Sequence, residues 1–222
     1  MTAPRIGVIN ATPLSMVPFS SAMEVEFPQA DVQHVLDDSL LRDLRAAGRL
    51  TEALEARMER LVEYVTAGDI AALQFACSGY SPVVERFAER LSIPVRKPDE
   101  AMYRELAGVG DGTIGILATV QPALELAEQQ LTDLLVAQGS SARITTLCVD
   151  EAMDAANSGR NDELGRMLTD AVHQLAGAGA SVVAFAQYSM SPVADDVARA
   201  TGMSIVTGPR AAARDLRTAL DA

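Results

Sequence analysis

The stretch Phe75-Ala76-Cys77-Ser78-Gly79-Tyr80-Ser81-Pro82-Val83 occurs a second time, altered, as Phe185-Ala186-Gln187-Tyr188-Ser189-Met190-Ser191-Pro192-Val193. The two align without a gap at an offset of 110 residues, and five of nine positions are identical. Upstream, Ile6-Gly7-Val8-Ile9-Asn10-Ala11 matches Ile114-Gly115-Ile116-Leu117-Ala118-Thr119 at an offset of 108, and downstream Pro98 pairs with Pro209 at 111. Three ordered offsets of nearly one size mark an internal repeat, which is one structural unit used twice.

Within each copy, short β-branched apolar runs alternate with longer amphipathic stretches, the pattern of βαβ units around a mostly parallel sheet. Strands are expected at 5–10, 32–37, 70–77, 93–97, 113–118, 143–149, 181–187 and 203–207. Helices lie between them. In 121–138, Leu124, Ala127, Leu131 and Leu135 recur at spacings of three and four and form one buried stripe; in 50–67 the corresponding set is Leu54, Met58, Leu61 and Val65. The expected fold is α/β, with two pseudo-symmetric lobes, each a mostly parallel sheet flanked by helices, and an active-site cleft between them. With the crossover near Pro98, residues 1–97 plus 209–222 form the first lobe and 98–208 the second.

Composition narrows the function. The chain of 222 residues is 49% hydrophobic, ample for a buried core, and its net charge of −12 repels nucleic acid and anionic membrane as partners. No apolar run approaches the roughly 18 residues of a membrane span, and the N-terminus passes into Arg5-Ile6-Gly7-Val8-Ile9 without a signal-peptide layout, so a cytoplasmic location is expected. Two cysteines, Cys77 and Cys148, with His34 and His173, make neither a disulfide framework nor a four-ligand zinc site, and no metal is expected.

Ligands of open parallel sheets bind beyond the carboxyl ends of the strands, where helix N-termini favour anions. The repeat nominates four such ends: Asn10-Ala11-Thr12, Cys77-Ser78-Gly79, Ala118-Thr119-Val120 and Gln187-Tyr188-Ser189. In both copies Ser-Pro follows the last of these loops, reading as a serine N-cap with proline at the first helical position. A cysteine just ahead of a helix N-terminus has its thiolate favoured, with a pKa lowered into roughly the 3.5 to 7.5 range. Cys77 therefore reads as a base or nucleophile and not as the buried filler that free cysteine commonly is, whereas Cys148, inside the apolar run 144–149, reads as filler. Symmetry sets Gln187 where Cys77 stands in the other copy.

These residues resemble the aspartate/glutamate racemase superfamily, which includes hydantoin racemase, maleate isomerase and arylmalonate decarboxylase. Ala76-Cys77-Ser78 is similar to its first cysteine motif, with Ser78-Gly79 where Asn-Thr is usual. Ile116-Leu117-Ala118-Thr119 resembles the second-lobe strand whose threonine turn binds the substrate carboxylate, with Pro122 in place of a further hydroxyl residue. Phe185-Ala186-Gln187-Tyr188-Ser189-Met190 occupies the second-cysteine motif, so Gln187 stands where the second thiol would be. The resemblance implies a cofactor-independent isomerase acting on a small carboxylate, with Cys77 as its acid/base group or nucleophile. It also implies a carboxylate held by Asn10, Thr12, Ser78, Gly79, Ala118, Thr119, Gln187, Tyr188 and Ser189, and, since members are often dimers, a homodimer. Glutamine cannot titrate, and two-base racemisation needs a titratable group on each face of the carbon. One-sided chemistry such as single-donor decarboxylation is the nearest alternative, and a non-catalytic carboxylate-binding protein is a third. Tyr80 or Tyr188 is a weak replacement base because phenol titrates near 10.

Other features carry less. Asp37-Asp38-Ser39 after a strand either lines the cleft, binds a cation or begins a helix with Ser39 as its cap. His34 and His173 are expected to be structural, and the charged positions of 52–63 are a solvated helix face. Gly108-Val109-Gly110-Asp111-Gly112 precedes a strand where a dinucleotide loop would follow one, and is rejected as such.

Overall fold

In the computed structural model, which describes residues 3–221, β1 (Arg5–Asn10) leads through a 3₁₀ turn at Pro13–Ser15 into α1 (Met16–Glu26) and β2 (Asp31–Leu36). Then come α2 (Leu40–Ala47), α3 (Glu52–Thr66), β3 (Ala72–Phe75), a 3₁₀ turn at Ser78–Tyr80, α4 (Ser81–Arg90) and β4 (Val95–Arg96). The succession repeats. After α5 (Glu100–Ala107) follow β5 (Thr113–Ala118), α6 (Gln121–Ala137), β6 (Arg143–Cys148), α7 (Met153–Asn157) and α8 (Asn161–Gly177). The chain finishes with β7 (Ala180–Phe185), a 3₁₀ turn at Tyr188–Val193, α9 (Ala194–Thr201), β8 (Ser204–Thr207) and α10 (Gly208–Asp221).

The described residues separate into two units, one made by the chain up to Glu100 and from Ala212 onward, the other by Ala101–Ala211. Each holds a four-stranded sheet in which every neighbouring pair is parallel, ordered β2-β1-β3-β4 in the first and β6-β5-β7-β8 in the second. The order follows from the residues. β1 and β5 are near-continuous apolar runs and are buried, as strands covered on both faces must be, while β2 and β6 carry polar residues such as Gln33, His34, Thr145 and Thr146 and are half-buried edges. The end of α10 belongs to the first unit through charge: Arg214 Nη1 donates to Glu26 Oε1 at 2.7 Å, Arg217 Nη1 to the Glu26 carbonyl at 2.6 Å, and Arg96 pairs with Asp215.

The repeated Ile-Gly pair has a packing cause. A Cβ on Gly7 would stand 2.3 Å from Val65 Cγ1 of α3, and one on Gly115 would stand 3.0 Å from Leu175 Cδ1 of α8. Helix and strand meet closely at both places. Gly7→Ala is therefore expected to destabilise the chain by about 1–3 kcal/mol, the usual cost of overpacking, read as a lowered urea midpoint at unchanged slope; an unchanged midpoint would show that α3 moves aside freely.

The stripe of α6 is as expected, with Leu124, Ala127, Leu131 and Leu135 all buried. On α3 the buried set is Leu54, Met58, Val62 and Val65, with Leu61 only partly covered, because the face turned to β1 lies one residue further round the helix. The Ser-Pro starts also differ from expectation. Ser81 is the first residue of α4 and not its cap, and Ser191-Pro192 lies inside the 3₁₀ turn ahead of α9. In each unit a tight turn thus separates the strand end from the helix.

Candidate active site

In a sheet ordered β2-β1-β3-β4 the connection from β1 goes one way and the return to β3 the other, which opens a crevice at their carboxyl ends. Asn10-Ala11-Thr12 and Cys77-Ser78-Gly79 flank that crevice in the first unit. Asn10 is fully buried and its amide is spent on the protein: Nδ2 donates to the Val8 carbonyl at 3.1 Å and the Val35 carbonyl at 3.2 Å, and Oδ1 accepts from Ser15 Oγ at 2.8 Å. It also faces His34 Nδ1 at 3.1 Å, and His34 Nε2 lies 2.8 Å from Ser20 Oγ. Burial lowers the His34 pKa, as a neutral structural imidazole requires. Asn10 therefore shapes the floor of the crevice. Thr12 caps its turn, Oγ1 accepting from Leu14 N at 3.4 Å.

Cys77 is partly buried, extended in backbone, and immediately ahead of the 3₁₀ turn. Burial pushes its thiol pKa up, the Gly79 N–H and Arg45 pull it down, and Asp99 adds a further upward push. The net direction is upward, which corrects the expectation of a depressed thiol: α4 begins only at Ser81, so its N-terminus is displaced from the sulfur by the intervening turn. Gly79 is required by closeness, since a Cβ there would lie 2.6 Å from Leu44 Cδ2 and 3.8 Å from Cys77 Sγ. Ser78 is half-buried beside it. Tyr80 is excluded as a base, because its hydroxyl donates to the Leu40 carbonyl at 3.0 Å and burial, with Cys77 next, pushes its pKa up to about 12.

The acidic pair after β2 has a structural role. Asp37 Oδ1 accepts from Ser39 N at 3.2 Å and Ser39 Oγ at 2.7 Å, and Arg57 pairs with Asp37 while its Nη1 reaches Asp43 Oδ2 at 2.6 Å. Burial alone would raise the Asp37 pKa; Ser39 and Arg57 outweigh it and hold the carboxyl below its usual range. Ser39 precedes α2 without capping it, because its hydroxyl is engaged with Asp37 and Arg57.

Sequence reasoning missed Asp99. β3 and β4 pair Leu73 with Val95 and Gln74 with Arg96, and Gln74 Nε2 donates onward to the Lys97 carbonyl at 3.1 Å. Asp99 follows β4 by three residues, and its charge pushes the Cys77 thiol up. Asp99 is 8% exposed, no described residue hydrogen-bonds or pairs with it, and burial pushes its carboxyl pKa up to about 7. The only signal in the sequence is a carboxylate three residues after the short strand β4.

In the second unit the corresponding crevice lies between β5 and β7. Thr119 is buried, and both its donors go to Gln187: the backbone N–H to Oε1 at 2.6 Å and Oγ1 to the same oxygen at 3.1 Å. This fixes the amide, and Nε2 has no acceptor among the described residues. Ala118 is buried at the end of β5, its carbonyl accepting from Val149 N at 2.8 Å. Tyr188 is buried and Ser189 half-buried in the 3₁₀ turn. Cys148 ends the edge strand β6, its pKa raised by burial and by Asp150 and Glu151. Among the described residues no group of three or more His, Cys, Asp or Glu could hold a metal ion, and no helix is long and apolar enough to cross a membrane.

Residues 6–218 match the family model described as Asp/Glu/Hydantoin racemase. The chain belongs to that family. It is accordingly an enzyme of isomerase type. Solved structures of racemases share its fold. A glutamate racemase from Bacillus anthracis superimposes with a TM-score of 0.71 at 16% identity, covering 100% of this chain and 83% of that one. An aspartate racemase from Picrophilus torridus gives 0.70 at 13%, covering 98% and 94%. An allantoin racemase from Pseudomonas fluorescens gives 0.63 at 18%, covering 96% and 89%. No curated protein sequence matches the chain.

Proposed function

We propose that this racemase-family enzyme moves a proton to or from the carbon beside a small carboxylate, without a cofactor, using Cys77 as the acid/base group and Gln187 where a second cysteine would stand. The observation that carries the reading is the placement of Cys77 at the carboxyl end of a central strand, at the switch point of its sheet, with a backbone N–H of Gly79 on its sulfur. Thr12, Ser78, Ser189 and the backbone of Tyr188 are the proposed carboxylate donors. Gln187 Nε2, held in direction by the Thr119 contacts to Oε1, is the proposed donor to an oxygen that gains charge as the proton leaves carbon. A cytoplasmic homodimer with no nucleic-acid or membrane partner completes the reading.

A second reading, decarboxylation of a malonate-type acid, is favoured by the fixed, non-titrating Gln187, because loss of carbon dioxide followed by protonation needs one donor only. Incubation with a panel of small mono- and dicarboxylates in D₂O separates the two: mass spectrometry reads deuterium at carbon and loss of carbon dioxide, and chiral chromatography reads racemisation. Neither signal from any member of the panel, with binding retained, would mark a carboxylate-binding protein. Gln187→Cys restores a thiol on the second strand end and is expected to give new, slow racemisation of a chiral substrate; fast racemisation by the wild type that ignores this change would place the second base elsewhere.

A further inference from the structure

Resting on the reading of these strand ends as the place where a small carboxylate is handled, we propose that Gln187 determines specificity. Its side-chain oxygen fills the Thr119 donor pair that would otherwise receive a carboxylate oxygen, so the substrate group met there is a neutral carbonyl, bonded by Gln187 Nε2. Thr119 N and Thr119 Oγ1 converge on Gln187 Oε1 from 2.6 Å and 3.1 Å. Two donors on one oxygen suit a carboxylate, since a hydrogen bond to a charged oxygen is about twice as strong as one to a neutral oxygen. Here both lone pairs of the amide oxygen are taken. The chain itself closes the cradle, and the amide nitrogen faces away from Thr119 with no acceptor among the described residues.

Charge around the strand ends supplies an independent observation. Residues 119–123, 149–152 and 186–194, which follow β5, β6 and β7, contain no Lys or Arg, and they include Asp150 and Glu151. Arg210, in the helix after β8, has Nη1 and Nη2 on the two oxygens of Asp195, each at 2.6 Å. With the cradle closed, a carboxylate would therefore meet the Gln187 amide, rim carboxylates and no free cation among the described residues of these loops. Taking a carboxylate out of water on such terms is costly, whereas a carbonyl oxygen is satisfied by the amide N–H. The repeat agrees: Ala11 and Cys77 stand where the second copy has Thr119 and Gln187, so the hydroxyl and the amide that it holds occur together or not at all.

An occupant on the same chain competes at an effective concentration of about millimolar or higher, so a free carboxylate must displace Gln187 before it can use the Thr119 donors. Once opened, the cradle is favourable to an anion. It adjoins the start of α6, whose N-cap residue Val120 makes no side-chain cap bond, and a helix start attracts negative charge. Shortening Gln187 should therefore change what the strand end selects, from a neutral carbonyl toward a carboxylate.

The test is an NMR titration of the ¹⁵N-labelled protein with acetate and with acetamide, at about 0.15 M salt so that the exposed Asp150 and Glu151 are largely screened. In the wild type, acetamide should move the Gln187 side-chain NH₂ resonances at lower concentration than acetate does, and acetate should leave the Thr119 amide in place. In Gln187→Ala, acetate should move the Thr119 amide with a midpoint at least about tenfold below any seen in the wild type, the effect of one hydrogen bond to a charged group. Gln187→Ser, also too short to reach Thr119, should do the same. Equal acetate midpoints at Thr119 in the wild type and a folded variant, or no movement of Thr119 in either variant, overturns the proposal. So does acetate moving the wild-type Gln187 resonances before acetamide, a comparison that needs no variant to fold. The titrations need no turnover, so their failure differs from failure of the functional reading, which is full turnover in Cys77→Ala.

Discussion

Asp99→Asn is expected to make the protein more stable at pH 8 by about 4 kcal/mol, an unusually large gain for one polar substitution. The carboxyl titrates near 3.8 when solvated and is pushed up to about 7 in the fold by burial. A group whose folded pKa is raised contributes stability that is fully present below its unfolded pKa and lost as pH rises through its folded pKa. The wild type should therefore lose stability between about pH 4 and pH 7, at about 1.4 kcal/mol per unit, and the asparagine variant should lack that slope. Urea unfolding of both proteins at several pH values from 5 to 8.5 measures it. Asp37 runs in the opposite sense, its lowered pKa making stability appear above its unfolded value, but it is common to both proteins and cancels in the difference. Parallel stability curves would show that Asp99 is solvated or paired in solution.

The repeat was the most legible part of the chain because an α/β unit writes its plan in order: apolar strand, turn, amphipathic helix. All eight strands lie where the apolar runs set them, within two residues at their ends. What escaped was whatever depends on position across the sheet. Asp99 and Cys77 are 22 residues apart, and only the lateral pairing of β3 with β4 brings the segments that carry them side by side. The thiol's upward shift likewise reflects local geometry, since one additional 3₁₀ turn moves the helix end away and leaves burial in command. Asn10 was legible as a strand-end residue, yet its engagement with Val8, Val35 and Ser15 follows from the bend of the chain after β1. The contact of Gln187 with Thr119 had the same kind of cause: two strand ends brought side by side by crossovers.

Cys77→Ala is expected to lower turnover by about 10² to 10⁴, the contribution of a positioned acid/base group. The effect should fall on kcat more than on KM, because the proposed donors to the carboxylate are backbone N–H groups and hydroxyls that the substitution leaves in place. Folding should change little: the side chain is only partly buried at the edge of the first unit's core, and removing one sulfur atom from such a place costs about 1 kcal/mol. The comparison is therefore made on folded protein, following deuterium incorporation from D₂O into the carboxylate that the wild type turns over. Incorporation that disappears while binding persists assigns the proton transfer to the sulfur. If the alanine variant exchanged deuterium at the wild-type rate, Cys77 would be removed from the mechanism.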